Sequence, residues 1–221
     1  MAYIISLEGV DGCGKTTLRH ALEARLKKLG KKVEVLQPTR TGDYGRGVLS
    51  LATASPKPDP TAELLLFLSL IRQFDATELR PRLEQDSFIL LDRYIGSTYA
   101  YQVGPDGSPT AKALFEAALG FSGGWEPLTL PNQMVLIERD ITECQKAISN
   151  RGDLFPEESN HYDRAERLVF SNRWEHYRTF VDRTPYLRGV TSVTELRNSA
   201  TTSMEDLCDG VLADVPPELL G

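Results

Sequence analysis

Long apolar runs are missing from this 221-residue chain. The longest, Leu64 to Ile71, contains Ser69 and falls far short of the ~20 residues that cross a bilayer, so no membrane-spanning helix is expected. Cysteine is scarce as well. Cys13, Cys144 and Cys208 are odd in number and widely spaced, which suits neither a disulfide framework nor a zinc site and predicts three free thiols. Surplus positive charge is also absent. Asp and Glu outnumber Lys and Arg by 31 to 25, so the overall field repels polyanions and argues against general nucleic-acid binding. A few arginines in a cleft can still hold small phosphates at short range. The opening MAYIISLEG shows no basic region followed by an apolar stretch and cleavage site; it reads as a strand running into a motif, and a soluble, cytoplasmic protein is expected.

What is present is ordinary: 41% hydrophobic and 25% charged residues, the composition of a globular domain. One domain over 1–214 is expected, with 215–221, which contains Pro216-Pro217, as a loosely held tail. Short apolar strands near 3–8, 32–37, 87–92, 132–138 and 190–196 alternate with amphipathic stretches, the pattern of a parallel sheet covered by helices on both faces. A helix after Gly14 presents Leu18, Leu22 and Leu26 on one face and stops at Gly30. A second begins at Asp59-Pro60; its run LLLFLSLI is apolar all round and predicts burial. Phe170, Trp174, Tyr177 and Val181 recur at helical spacing and read as core. Thr39 to Gly47 and Asn150 to Tyr162 read as irregular site loops, the second as a lid over about 150–163.

Gly9-Val10-Asp11-Gly12-Cys13-Gly14-Lys15-Thr16 matches GxxxxGK[ST] between a predicted strand and a predicted helix. Glycines let the backbone turn its NH groups inward, the helix N-terminus adds positive potential, and Lys15 reaches the β- and γ-phosphates of ATP. Gly9, Asp11, Gly12, Cys13, Gly14, Lys15, Thr16 and Thr17 are therefore the expected nucleotide-binding set, with Thr16 a ligand of Mg2+. At a helix N-terminus the Cys13 thiol is expected to be reactive. Phe88 to Asp92 is an apolar strand that ends in a carboxylate, at the sheet edge where ligands bind. Asp92 caps a helix, organises the magnesium shell or positions an arginine, and Arg93 brings a cation to the same edge.

Asp92-Arg93-Tyr94 followed by Ser97, Ala100, Tyr101 and Gln102 resembles a segment of the thymidylate kinases, and Leu7 to Gly12 resembles the start of their phosphate loop. Pro38, Arg40 and Gly45 resemble the family's substrate-phosphate loop; Arg151-Gly152, Asp163-Arg164 and Glu166 resemble its lid. The resemblance implies an α/β fold with a P-loop NTPase-type parallel five-stranded sheet and a short lid, and transfer of a phosphoryl group from Mg-ATP to dTMP by a homodimer paired through helices flanking the sheet. It implies roles too. Asp11 lies near the sugar and metal, Arg93 and Arg40 grip the acceptor 5′-phosphate, Arg72 reads the base carbonyl, Thr98 touches the base and Tyr101 excludes a 2′-hydroxyl. On the residues alone, Arg72 could instead pair with Asp75 or Glu78, and Tyr101 could be core. Gly12 stands where one branch of the family has arginine, so the charge on the transferred phosphate would come from the lid, which offers Arg151, Arg164 and Arg167; those three could also form a solvated basic face.

The sequence departs from the family at three places. The phenylalanine that stacks on the base belongs at Leu68, and Phe67 is one residue, about 100° of helix, away. Gln37 replaces an acid before Pro38, and Asn132 replaces the aspartate that opens the fourth strand. Leu68 and Tyr99 leave room for a kinase acting on another or modified pyrimidine monophosphate. A P-loop switch or scaffold is the second rival, but it gives no role to Asp92-Arg93-Tyr94 or to the lid arginines.

Overall fold

The computed structural model describes residues 1–120, 126–154, 167–183, 187 and 191–221. Strands β1 (Tyr3–Glu8), β2 (Val33–Leu36), β3 (Phe88–Asp92), β4 (Gln133–Glu138) and β5 (Ser192–Arg197) form one parallel sheet in the order β2-β3-β1-β4-β5. The described helices are α1 (Lys15–Lys28), α2 (Gly42–Ala52), α3 (Pro60–Phe74), α4 (Ile95–Thr98), α5 (Gly104–Asp106), α6 (Pro109–Ala118), α7 (Ile141–Leu154), α8 (Arg167–Arg183), α9 (Met204–Leu212) and α10 (Pro217–Leu220). Between α4 and α5 the chain stays helical through a wide π turn, Tyr99–Val103.

Strands buried on both faces read as continuous apolar runs, and alternate residues serve opposite faces. Ile4, Ile89, Leu91, Met134 and Leu136 join Leu68, Ile71 and Phe74 of α3, Phe115 of α6 and Phe180 of α8 in one core. Ile5, Leu7, Leu90, Val135 and Ile137 join Leu18, Leu22 and Leu26 of α1 and Leu207 and Val211 of α9 in the other. The helix signals act as their chemistry dictates. Asp59 accepts from Thr61 N at 2.9 Å to cap α3, and Gly30, at φ 76, ends α1 while Lys31 N bonds Leu26 O at 3.0 Å.

Four expectations change. Only part of Thr39 to Gly47 is irregular. Arg40 N, Thr41 N and Thr41 Oγ1 all donate to Gln37 O, closing a tight turn from which α2 starts at Gly42. A Cβ on Gly45 would overlap the Pro38 carbonyl oxygen, so glycine there lets the first turn of α2 lie against the loop. Helix α3 is not buried all round: Leu64, Leu68, Leu70 and Ile71 face the core, but Leu65 is 48% exposed. Residues 215–221 are not loose. Val215 is buried, Leu219 and Leu220 pack on the α1/α9 core, and the second proline begins α10 instead of preventing it. The expected lid begins as helix, since α7 continues to Leu154; residues 155–166 lie outside the described set.

Candidate active site

Leu7 of β1 and Asp92 of β3 are ladder partners, and Arg93 N donates to Leu7 O at 3.1 Å. The phosphate loop after β1 and the arginine after β3 therefore leave the sheet side by side. Within the loop, Gly12 lies so close to the Cys144 carbonyl that a Cβ would overlap it. Lys15 is 6% exposed; its Nζ donates to Gly9 O at 2.9 Å and Val10 O at 2.7 Å and stands 3.9 Å from Asp11 Oδ1. Two side chains without a role in the sequence analysis hold carbonyls of the loop: Arg139 Nη1 donates to Gly12 O at 3.1 Å, and Asn198 Nδ2 donates to Cys13 O at 2.7 Å. Each immediately follows a strand end, β4 or β5, and that position at the carboxyl edge is the signal that could have found them.

Cys13 corrects an expectation. Its side chain is 0% exposed and packs with Leu7, Leu18 and Cys144 in the core, because the turn that points NH groups at a ligand points this Cβ inward. The native thiol is therefore expected to resist alkylation by maleimide, with or without Mg-ATP, and to label only on unfolding. Labelling of the native protein at the rate of the unfolded chain would contradict this packing.

Arg93 is the non-glycine residue with positive φ, 69°, among the described residues. Its guanidinium pairs with Asp11 and donates to Gly9 O at 3.0 Å, Ser97 Oγ at 3.2 Å and Tyr177 OH at 3.2 Å. Burial works against its charge, yet Asp11 and its other neighbours hold its pKa well above the ordinary value. Burial also works to raise the Asp11 pKa, but Arg93 and Lys15 outweigh it and the carboxyl is held below its usual range. Behind this pair Glu8, 0% exposed, accepts from Tyr94 N at 2.9 Å and Ser97 Oγ at 2.6 Å; burial pushes its pKa up. The carbons of Arg93 and Arg173 guanidinium groups lie 5.1 and 4.2 Å from the Tyr101 ring centroid. Burial raises the Tyr101 hydroxyl to about 12. Tyr177 is core, as its spacing predicts, but its hydroxyl belongs to this network. Helical periodicity reveals a buried face and says nothing about what the tip of a tyrosine meets.

A cleft opens beside the network, lined among others by Asp11, Arg40, Phe67, Asp92, Arg93, Thr98 and Tyr101. These candidates come from five separate stretches of sequence. Lys15 and Thr16 belong to the adjoining loop and first turn of α1, and Thr17 is exposed on that turn. Arg72 does not line the cleft: it donates to Glu126 O at 2.7 Å, because Phe67, Leu70 and Ile71 take the face of α3 that does. The side chain of Arg151 on α7, and Arg164 entirely, lie outside the described residues, as does the side chain of Arg167.

A thymidylate kinase family model matches residues 7–176, well over half of the chain. The chain belongs to the thymidylate kinase family. It is 39% identical over 125 residues to a thymidylate kinase of Syntrophotalea carbinolica, a match covering 54% of this chain and 57% of that protein. It is 38% identical over 101 residues to one from Thermoanaerobacter sp., covering 44% and 49%. The chain thus spans about half the length of these relatives. A probable thymidylate kinase of Archaeoglobus fulgidus matches over 188 residues at 29% identity, covering 85% of this chain and 90% of that protein. The crystal structure of a thymidylate kinase from Ehrlichia chaffeensis shares the fold, with TM-score 0.65 at 20% identity over 97% of this chain and 99% of that one.

Against the thymidylate kinase pattern, the departures now have places. Phe67 is half-buried and lines the cleft, whereas Leu68 is 6% exposed in the core; the aromatic has moved one residue and faces the cleft from there. Tyr99 meets Phe115 edge-on and Phe180 at a tilt in the core, and neither Leu68 nor Tyr99 lines the cleft. Gln37 lines the cleft, and Asn132 Oδ1 accepts from Ile4 N at 2.8 Å, a bond within the sheet. For a metal, Thr16 and Asp92 offer a hydroxyl and a carboxylate. The Asp92 carboxylate lines the cleft and accepts no hydrogen bond from the described residues. Among those residues no three His, Cys, Asp or Glu side chains form a metal cluster. A sparse, hard-oxygen donor set suits Mg2+, which keeps waters and phosphate oxygens as most of its ligands.

Proposed function

We propose that the protein transfers the γ-phosphoryl group of Mg-ATP to dTMP, giving dTDP and ADP. The carrying observation is Arg93, one guanidinium that binds Asp11 and Gly9 O of the phosphate loop and also lines the neighbouring cleft, so donor and acceptor phosphates would share a wall. Lys15 exchanges the Gly9 and Val10 carbonyls for the β- and γ-phosphates. Arg93 and Arg40 hold the acceptor phosphate, an anion that is itself the nucleophile, so no general base is needed. The bond between the γ-phosphorus and the β-bridging oxygen breaks as a bond to an acceptor oxygen forms, and positioning and charge neutralisation do most of the work. Mg2+, when held by Thr16 and Asp92, would supply further neutralising charge on the phosphoryl oxygens. Arg151 or Arg164 from the lid completes that charge. Phe67 and Thr98 face the base, Tyr101 fills the space beside C2′, and Arg72 reads a base carbonyl once it leaves Glu126.

Exposed Leu51 of α2 and Leu65 of α3, 57% and 48% accessible on packed neighbouring helices, support pairing as a homodimer through this face. No described helix is long and apolar enough to cross a membrane, which suits a cytoplasmic enzyme of nucleotide biosynthesis. Gln37 in the cleft wall keeps a kinase for a modified pyrimidine monophosphate as the second reading. ADP release measured with Mg-ATP and dTMP, dUMP, dCMP, UMP and a 5-substituted dUMP separates the two. The proposal expects dTMP to lead by at least about tenfold over UMP, since a ribose hydroxyl must displace the Tyr101 ring. Equal rates for dTMP and dCMP would remove the thymidylate assignment.

A further inference from the structure

The hydroxyl of Tyr177 lies 3.2 Å from Arg93 Nη1, 2.8 Å from Ser97 Oγ and 3.3 Å from Gly9 O. Ser97 has one proton and gives it to Glu8 Oε2 at 2.6 Å, so Tyr177 is the donor in its 2.8 Å contact with Ser97, and the longer 3.3 Å approach to Gly9 O shares the same proton at most weakly. Its lone pair then receives the Arg93 N–H, and Ser97 Oγ also accepts from Arg93 directly at 3.2 Å, so both routes run in one direction, from the Arg93 cation through hydroxyls to the buried Glu8 carboxyl group. Donors that all point the same way along the chain polarise one another. Tyr177 is 0% exposed, its ring meets Tyr101 edge-on at 6.4 Å, and it is not among the residues that line the cleft.

We propose that Tyr177 is a positioning residue for Arg93: with Ser97 and Glu8 it fixes one edge of the guanidinium from behind, as Asp11 fixes the other, and so sets the orientation presented to the acceptor phosphate. This inference rests on the kinase reading above. Arg93 sits on a positive-φ backbone that alone does not fix its long side chain, and three elements, β1, α4 and α8, contribute to holding it.

Tyr177→Phe removes only the hydroxyl. The expected result is a fall of about tenfold in kcat/KM for dTMP, with the dissociation constant of Mg-ATP within about twofold of the parent, because misplacement acts on the acceptor and not on the phosphate loop. Ser97→Ala should reproduce that split and keeps the test decisive if Tyr177→Phe does not fold. The double variant should be no worse than the weaker single variant by more than about twofold, since both substitutions cut one chain. A kcat/KM for dTMP within twofold of the parent in these variants, losses that multiply in the double variant, or a loss that falls equally on Mg-ATP binding overturns the proposal. The parent assayed alongside separates the two readings. An active parent with unchanged variants contradicts the role of Tyr177, whereas a parent inactive on every pyrimidine monophosphate contradicts the kinase reading and with it this inference.

Discussion

Lys15→Ala should lower turnover with dTMP by about 10²-fold or more, equivalent to about 2.7 kcal/mol of transition-state stabilisation. The ammonium is the cation folded inside the phosphate loop, held at 2.7 and 2.9 Å by two carbonyls that a polyphosphate would replace. Folding should survive the substitution, because the carbonyls of the loop have other support: Arg93 also donates to Gly9 O, and Arg139 and Asn198 hold Gly12 O and Cys13 O. Steady-state kinetics with a melting curve on the same sample check both statements. A folded variant with near-normal turnover would end the assignment of this loop as the ATP site.

A comparable loss is expected from Arg93→Lys, although the charge is kept. The arginine spends one nitrogen on Asp11 and another on Gly9 O, Ser97 and Tyr177, and a lysine ammonium cannot span that fork. kcat/KM for dTMP should fall about 10²-fold, since the acceptor phosphate loses its aligned partner. Stability should fall too, by roughly 1–3 kcal/mol, because the buried polar groups around Arg93 lose partners that water cannot replace. Asp11 stays ionised at neutral pH in the parent, where the Arg93 and Lys15 charges hold its pKa down against burial. A lysine variant with kcat/KM within about threefold of the parent would show that bidentate geometry is not what this position supplies.

The strands and the phosphate loop were legible because their signals are local. An apolar run closed by Asp92, or glycines at set spacing before Lys15, need no tertiary knowledge. The polar network was not legible for the opposite reason. Glu8, Ser97 and Tyr177 come together only because β1 and β3 are adjacent and α8 returns across them, and no spacing in the chain encodes that meeting. Cys13 and Arg72 mark a second limit. The phosphate-loop motif placed the backbone of Cys13 and the helix signals placed that of Arg72, yet the direction of each Cβ depended on a turn or a helix phase that a one-residue slip can alter. Phe67 shows the same sensitivity with a different outcome, since it faces the cleft where Leu68 faces the core.

The most direct test follows the phosphorus atom. With γ-labelled ATP, Mg2+ and dTMP, the account predicts label in the β-phosphate of dTDP, in step with ADP and dependent on dTMP. Label appearing only as inorganic phosphate, at a rate indifferent to dTMP, would contradict it and leave a nucleotide-binding switch in its place.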